Sequence, residues 1–405
     1  MKLSVKQFGL FLMFTYMVSY ITRINFGAVI AEMVVSTGFS KSELSMSVTG
    51  AFITYGIGQI VTGWLGDRFQ PKNLLMLGLA VTTLTNLILP FCPNPWVMMG
   101  IWCVNGFAQA FMWPPMVRLL ANLLNEEEYK RTTLIVTWGG SIGTIVIYLV
   151  SSLFVTVADW RFVFWFASLC GAVMMPIWYS LCPTLSREAP AAKAEKATDA
   201  PVASRKGLVV LMLSPLMIGI MISIILQGSL RDGITTWMPT FISETYELGS
   251  SIAILTGVLL PLFSILCSKI TEYVYEKRLK NPLTCSAVVF GIGALSALLL
   301  FFLNGVNAAA SVGLTALLTG CMHGVNLVLI CMVPAFFRNS GHISLISGIL
   351  NTCTYVGSAL STYGITLLTD NFGWTVTVGV WFAFAAAGTA ICLLLIPAWR
   401  KRFGK

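Results

Sequence analysis

The chain has 405 residues, of which 57% are apolar and 10% are charged, and its formal net charge is +9. Soluble domains carry about 25% charged residues. The composition therefore excludes a soluble globular protein and indicates a protein with several membrane-spanning segments.

Twelve apolar segments are long enough to cross the hydrocarbon core of a bilayer, which takes about 20 helical residues. They predict an all-α membrane protein with twelve transmembrane helices. The seventh is unusually long and contains Gly228, Gly233 and Pro239, so we expect it to be broken or bent near the outer surface. The predicted spans cover residues 8–30, 43–65, 73–92, 96–121, 132–156, 160–181, 208–241, 250–271, 283–303, 309–335, 343–368 and 374–397.

Lys and Arg residues are distributed unequally between the predicted loops. With both termini placed in the cytoplasm, 21 of the 25 lie on that side, and Lys41 and Arg161 lie outside. Because cytoplasmic loops accumulate positive charge, we expect a multi-pass protein of the cell (inner) membrane with both termini cytoplasmic. This distribution explains the net charge without a nucleic-acid partner. The first apolar run is too long for a cleavable signal peptide.

Residues 183–206 separate two sets of six spans. The segment reads PTLSREAPAAKAEKATDAPVASRK and has no apolar face, which predicts a flexible cytoplasmic linker. We therefore expect an N-terminal six-helix half over 1–182 and a C-terminal six-helix half over 207–405. Spans six and twelve both begin with an Asp followed closely by Trp, at 159–160 and 370–374, which indicates pseudo-symmetric halves.

Two arginines lie inside apolar spans, one early in each half: Arg23 in MFTYMVSYITRINFG and Arg231 in LQGSLRDGITTWMPT. A charged residue at the bilayer centre costs about 3 kcal/mol on insertion scales, so such residues indicate function. We expect the two arginines to hold one anion between the halves, with the lipid bilayer around them. The structural alternative for Arg23 is an ion pair or a side chain that extends to the membrane surface.

Tyr16, Tyr20 and Arg23 are spaced four and three residues apart, which places them on one helix face. A guanidinium donates two parallel hydrogen bonds and phenols donate one each, so this face suits a phosphate group. Asp232 is the one acid placed well inside a span. It either orients Arg231, pairs with it at rest, or stabilises a turn.

The loop Gly63-Trp64-Leu65-Gly66-Asp67-Arg68 resembles the loop signature of the major facilitator superfamily. Three further motifs resemble the organophosphate:phosphate antiporter family, and the resemblance covers the whole chain. These motifs are Tyr20-x-x-Arg23-x-Asn25-Phe26, Trp113-Pro114-Pro115-x-x-Arg118 and Arg231-Asp232-Gly233-x-x-x-Trp237-x-Pro239-Thr240.

The resemblance implies the major facilitator fold and an anion site in which Arg23 and Arg231 grip phosphate. It also implies binding roles for Tyr16, Tyr20 and Tyr355. Gating or structural roles are expected for Gly63, Asp67, Arg68, Arg118 and Asp232.

Three positions depart from the family pattern and make the expected cavity less cationic. Gln59 replaces a binding-site lysine, Gly140 replaces a cavity histidine, and His323 falls near a family tyrosine. His323, Gln59 and Asn326 each form either a packing hydrogen bond or a substrate contact. A histidine in the cavity would also titrate near neutral pH. The organic moiety and the anion class therefore stay open.

The sequence contains no nucleophile with an adjacent base, its two histidines are far apart, and its ten cysteines lack metal-ligand spacing. We therefore expect a monomer without catalytic activity, cofactor or metal.

The predicted function is secondary active transport of an organic phosphate ester, of the sugar phosphate or glycerol phosphate type. Inorganic phosphate would be the exchanged anion, and the mechanism would be alternating access. The first alternative is a proton-coupled symporter of an organic carboxylate such as a sugar acid. A lower-ranked alternative is a sugar-phosphate sensor that does not transport.

Overall fold

The computed structural model describes residues 4–66, 69–185, 210–340 and 343–404. Asp67 and Arg68 lie outside these ranges, as does the predicted linker apart from its first three residues, which continue a helix to Leu185. Within the described ranges all regular structure is helical. Ten helices there are long and apolar enough to cross a membrane, which confirms the predicted all-α membrane fold.

The helices of the N-terminal part follow one another with short connections. A 3-10 turn, Leu89–Phe91, ends the third span. The α-helices are α1 (Val5–Thr37), α2 (Lys41–Gly66), α3 (Pro71–Ile88), α4 (Pro95–Gln109), α5 (Trp113–Leu123), α6 (Glu126–Val157) and α7 (Arg161–Leu185).

The C-terminal part contains α8 (Pro215–Tyr246), α9 (Ser250–Thr256), α10 (Leu259–Lys277), α11 (Pro282–Leu303), α12 (Ala308–Asn326) and α13 (Ile343–Phe403). Between α12 and α13 the chain forms a π-helical segment, Leu327–Met332, and then a 3-10 segment, Val333–Ser340.

Polar residues at the predicted loop ends start several of these helices. Ser4 and Asn125 each form a capping box, with Gln7 and Glu128 respectively, so the first amide groups of α1 and α6 have partners outside the helix. Asn281 caps α11 by accepting hydrogen bonds from the next turn. Such caps fix where each span begins.

Several predicted spans differ in detail from the helices observed. The fourth span is two helices, because Pro114 and Pro115 start a new helix, α5, where a proline needs no backbone partner. The eighth is interrupted between α9 and α10, near Gly257. Spans eleven and twelve are joined in α13, which breaks at Gly373 with a φ of 75° and a ψ of 178°. The break expected in the seventh span is wrong, because α8 runs through Gly228, Gly233 and Pro239 without interruption.

The chain divides into two compact units. The first comprises Met1–Thr198 and Ser250–Val258, and the second comprises Asp199–Gly249 and Leu259–Lys405. In the first unit α9 lies against α6, where the Ser152 and Ser251 hydroxyls are 2.8 Å apart. The units are described separately below.

Glycines allow the two arginine-bearing helices to pack closely on their neighbours. A side chain at Gly139 of α6 would collide with the backbone of α1 at Met13. In the second unit a side chain at Gly357 of α13 would collide with the backbone of α8 at Ile225. Small residues at such crossings are typical of membrane helices, because close approach maximises van der Waals contact.

Candidate functional site

Arg23 lies on α1 of the first unit with its guanidinium over aromatic rings. Its Cζ atom is 4.3 Å from the ring centroid of Tyr55 on α2 and 6.0 Å from that of Tyr20, one helical turn before it. Tyr55 is buried and Arg23 is half-buried. A ring face attracts a cation, so the two tyrosines help to hold the guanidinium in position.

Tyr16 and Tyr20 form an aromatic pair next to Arg23. Their ring centroids are 5.1 Å apart with an edge-to-face orientation, and the Tyr16 ring also lies 5.0 Å from that of Trp113 on α5. Gly140 of α6 makes room for this pair, since a Cβ there would lie 3.0 Å from the Tyr20 ring and 3.3 Å from the Tyr16 ring. The predicted grouping of Tyr16, Tyr20 and Arg23 on one face is present in the structure.

Gln59 lies on α2, one helical turn beyond Tyr55, and so shares its face. Its Nε2 atom is buried and has no hydrogen-bond partner among the described residues. A buried donor without a partner costs about 1–3 kcal/mol. This position is therefore suited to a ligand that accepts a hydrogen bond.

A buried polar network supports α1 beside Arg23. Gln109 of α4 accepts a hydrogen bond from Ser19 Oγ at 2.7 Å and donates to Thr22 Oγ1 at 2.9 Å. Interhelical hydrogen bonds of this kind fix the rotation of a helix within a membrane bundle. The network joins α1, α3 and α4 through Ser19, Thr22, Asn25, Asn86, Asn105 and Gln109.

Arg231 lies on α8 of the second unit in a two-point ion pair with its neighbour. Its Nε donates to Asp232 Oδ1 at 2.7 Å and its Nη2 donates to Asp232 Oδ2 at 2.8 Å. The two side chains are 12% and 16% exposed. Of the roles foreseen for Asp232, pairing with Arg231 is the one observed.

Residues of α12 and α13 complete the second cluster. Asn326 Oδ1 accepts a hydrogen bond from Arg231 Nη1 at 2.9 Å, and Ser358 Oγ donates to Asp232 Oδ2 at 2.6 Å. His323 precedes Asn326 by one turn, which places it on the same face of α12. Tyr355 precedes Ser358 by one turn, which places it on the same face of α13.

Of the remaining predicted residues, Gly63 and Arg118 fall within the described ranges. Gly63 lies in α2 and Arg118 lies in α5 with a half-buried side chain. The gating roles foreseen for them, and for Asp67 and Arg68 outside the described ranges, stay predictions. Trp237 is buried and donates from Nε1 to the Thr362 carbonyl at 2.9 Å, so it fastens α8 to α13.

Two contributors were missed by sequence reasoning. Tyr55 stacks on Arg23, and its only sequence signal is its position one turn before Gln59. Ser358 is a small residue in an apolar span, and its hydroxyl donates to Asp232. The polar network around Gln109 was also missed, but the Asn and Gln residues inside apolar spans were a visible signal.

The two clusters provide hydrogen-bond donors and positive charge in protected surroundings. Guanidinium, phenol and amide N–H groups bind oxyanions, and the guanidinium does so by two parallel bonds. Among the residues described by the structure, no group of three or more His, Cys, Asp or Glu side chains is arranged to hold a metal ion.

Comparison with known families gives a match over residues 12–362 to the family model described as Major Facilitator Superfamily. A probable hexose phosphate transport protein of Chlamydia pneumoniae is 22% identical, with 95% of this chain and 89% of that protein aligned. The glycerol-3-phosphate transporter of Bacillus subtilis is 23% identical, with 88% and 84% aligned. These relatives confirm the resemblance to the organophosphate:phosphate antiporter family.

Some relatives match over a shorter segment. A probable hexose phosphate transport protein of Chlamydia muridarum is 30% identical over 150 residues, and the matched part spans 32% of that protein and 36% of this chain. Among solved structures, a D-xylose-proton symporter superposes with a TM-score of 0.75 at 13% identity, with 96% of each chain covered. The structural similarity supports the major facilitator fold.

Proposed function

Since the chain belongs to the Major Facilitator Superfamily, a family of multi-pass membrane proteins, we propose that it exchanges an organic phosphate ester for inorganic phosphate by alternating access. The ester is of the sugar phosphate or glycerol phosphate type, and the two full-length relatives described above are named for such substrates. The protein acts in the cell membrane with both termini in the cytoplasm.

The observation that carries this proposal is the pair of arginine clusters on α1 and α8. Each arginine is inside a membrane-spanning helix and is held by a side chain of another helix, Tyr55 for Arg23 and Asn326 for Arg231. A positioned guanidinium loses little conformational freedom on binding, so it binds a phosphate group more tightly than a mobile one. Tyr16, Tyr20, Gln59, His323 and Tyr355 provide further hydrogen-bonding groups for the anion.

Exchange requires that the loaded carrier reorient faster than the empty one. A bound anion places negative charge against the arginines, and this lowers the barrier to reorientation. The empty carrier lacks this contribution, and one arginine at the bilayer centre costs about 3 kcal/mol on insertion scales. The empty protein therefore turns slowly, and entry of one anion depends on exit of another.

Phosphate self-exchange in proteoliposomes tests the proposal. Vesicles with the purified protein are loaded with unlabelled phosphate, and uptake of labelled phosphate is followed with and without a protonophore. We expect uptake that requires internal phosphate and persists when the proton gradient is collapsed. Uptake that occurs without internal phosphate and stops with the protonophore would contradict exchange. Saturable phosphate binding without any uptake would favour the sensor.

A second candidate is proton-coupled symport of an organic carboxylate. The observation in its favour is Asp232, a carboxylate inside α8 that contacts Arg231 and would take up a proton when the arginine binds another anion. In the same vesicles, symport predicts uptake of a labelled sugar acid that is driven by an inward proton gradient and is insensitive to internal phosphate.

A further inference from the structure

The Asp232 carboxylate binds the Arg231 guanidinium in the way that an anionic ligand would. Its two oxygens accept from Nε at 2.7 Å and from Nη2 at 2.8 Å, which is the two-point geometry that arginine forms with carboxylate and phosphate groups. A ligand that approaches the same edge of the guanidinium meets two donors that are already engaged. To bind there, it has to displace the Asp232 carboxylate.

The surrounding helices hold the carboxylate in this position. Ser358 has one hydroxyl proton, and the closest acceptor among its hydrogen-bond partners is Asp232 Oδ2 at 2.6 Å. The other two acceptors are uncharged carbonyl oxygens, of Thr354 at 2.9 Å and of Gly228 at 3.5 Å. Asn326 fixes the opposite edge of the guanidinium from α12. The ion pair is therefore preorganised by two further helices.

We propose that Asp232 is an internal counterion that competes with the transported anion for Arg231 and thereby sets affinity and charge selectivity. This inference rests on the proposed function, because it assumes that the anion binds Arg231. When the anion displaces the Asp232 carboxylate, the carboxylate stays close to the site, because Asp232 directly follows Arg231 in the chain. It therefore repels the incoming negative charge. The repulsion is larger for a dianion than for a monoanion of the same shape.

Neutralising Asp232 tests this competition, because a structural role and a competing role predict opposite changes in affinity. Asp232→Asn has nearly the same size and still accepts a hydrogen bond from Arg231, but it carries no charge. The measurement is equilibrium binding of labelled inorganic phosphate to the purified full-length protein. Sulfate and methanesulfonate serve as competitors, because they share sulfonyl oxygens and differ by one fixed charge.

We expect Asp232→Asn to lower the Kd of phosphate and of sulfate roughly tenfold, or about 1.4 kcal/mol, because the competing negative charge is lost. The Kd of methanesulfonate should fall less than that of sulfate. Ser358→Ala removes one bond to the carboxylate and should lower the phosphate Kd in the same direction by a smaller factor. If Asp232→Asn does not fold, Ser358→Ala still tests the competition between Asp232 and the anion.

A matched control is available at the start of α7. Asp159 pairs with Arg161 at 2.9 Å outside both clusters, so Asp159→Asn makes the same chemical change in another short-range ion pair. It should leave all three dissociation constants unchanged. A phosphate Kd that rises or stays constant in Asp232→Asn would overturn the competition and leave Asp232 as a positioning residue.

The same titration separates the inference from the proposed function. Phosphate binding by the wild type that is lost in Arg231→Ala supports the anion site. If that result is accompanied by an unchanged phosphate Kd in Asp232→Asn, only the inference fails. A wild-type protein that binds neither phosphate nor sulfate would overturn both.

Discussion

Each membrane arginine is held in position by a side chain beside it. Arg231 is paired with the Asp232 carboxylate at 2.7 Å, and the guanidinium of Arg23 lies over the ring of Tyr55. Both a carboxylate and a ring face attract a cation. The affinity for an anion should therefore depend on Asp232 and Tyr55 as well as on the two arginines.

The contact between the Tyr55 ring and the Arg23 guanidinium can be tested by substitution. Tyr55→Leu removes the cation–π contact, which is worth about 0.5–2 kcal/mol, so the Kd of phosphate should rise between twofold and about thirtyfold. Tyr55→Phe keeps the ring and should stay closer to the wild type. Phosphate titration of the two variants measures the difference. Equal losses in both would show that the hydroxyl, and not the ring, supports binding.

At the scale of elements, each arginine-bearing helix is positioned by a glycine contact and by buried polar groups. In the second unit α8 approaches α13 at Gly357 and is fastened further along by the hydrogen bond from Trp237 to the Thr362 carbonyl. In the first unit α1 is supported by Gly139 and by Gln109. The geometry of the clusters thus depends on residues that do not contact an anion.

Gly357→Ala tests this dependence. The added methyl group would collide with the Ile225 carbonyl oxygen, and overpacking of this kind costs about 1–3 kcal/mol. We expect a lower thermal unfolding temperature and weaker phosphate binding. Gly364→Ala is the control, since it is in the same helix and a Cβ there meets nothing within 4 Å. Equal thermal stability of both variants would contradict the close packing of α8 on α13.

The positions of the spans were easier to predict from sequence than their interruptions. A long run of apolar residues is visible in the sequence itself, and within the described ranges every predicted span corresponds to helical structure. The interruption before Pro114 and the positive φ of Gly373 depend on individual turns, which hydropathy averages over. Pro239 shows the reverse case, because α8 continues through it despite the lost backbone hydrogen bond.

At the scale of the whole molecule, the sequence revealed the charged residues and the structure revealed their partners. Arg23, Tyr16 and Tyr20 could be grouped because helical spacing places them on one face. Tyr55, Asn326 and Ser358 could not, since each reaches an arginine cluster from another helix. Helical periodicity shows which residues of one helix share a face, but it does not show which residues of other helices pack against that face.

Each of the two units contains one arginine cluster, and the proposed function requires that both clusters serve one transport cycle. Their mutation should then have the same consequence for exchange, although they are on different helices and have different partners. Arg161 lies at the start of α7 with a side chain that is 43% exposed. It provides an arginine outside both clusters for comparison.

Phosphate counterflow in proteoliposomes, measured for the wild type and for Arg23→Ala, Arg231→Ala and Arg161→Ala, tests this claim most directly. Each cluster variant loses at least one charge-assisted contact to the anion, so we predict a fall in counterflow of about tenfold or more for each. Arg161→Ala should match the wild type. Full counterflow after Arg23→Ala or Arg231→Ala would contradict the account.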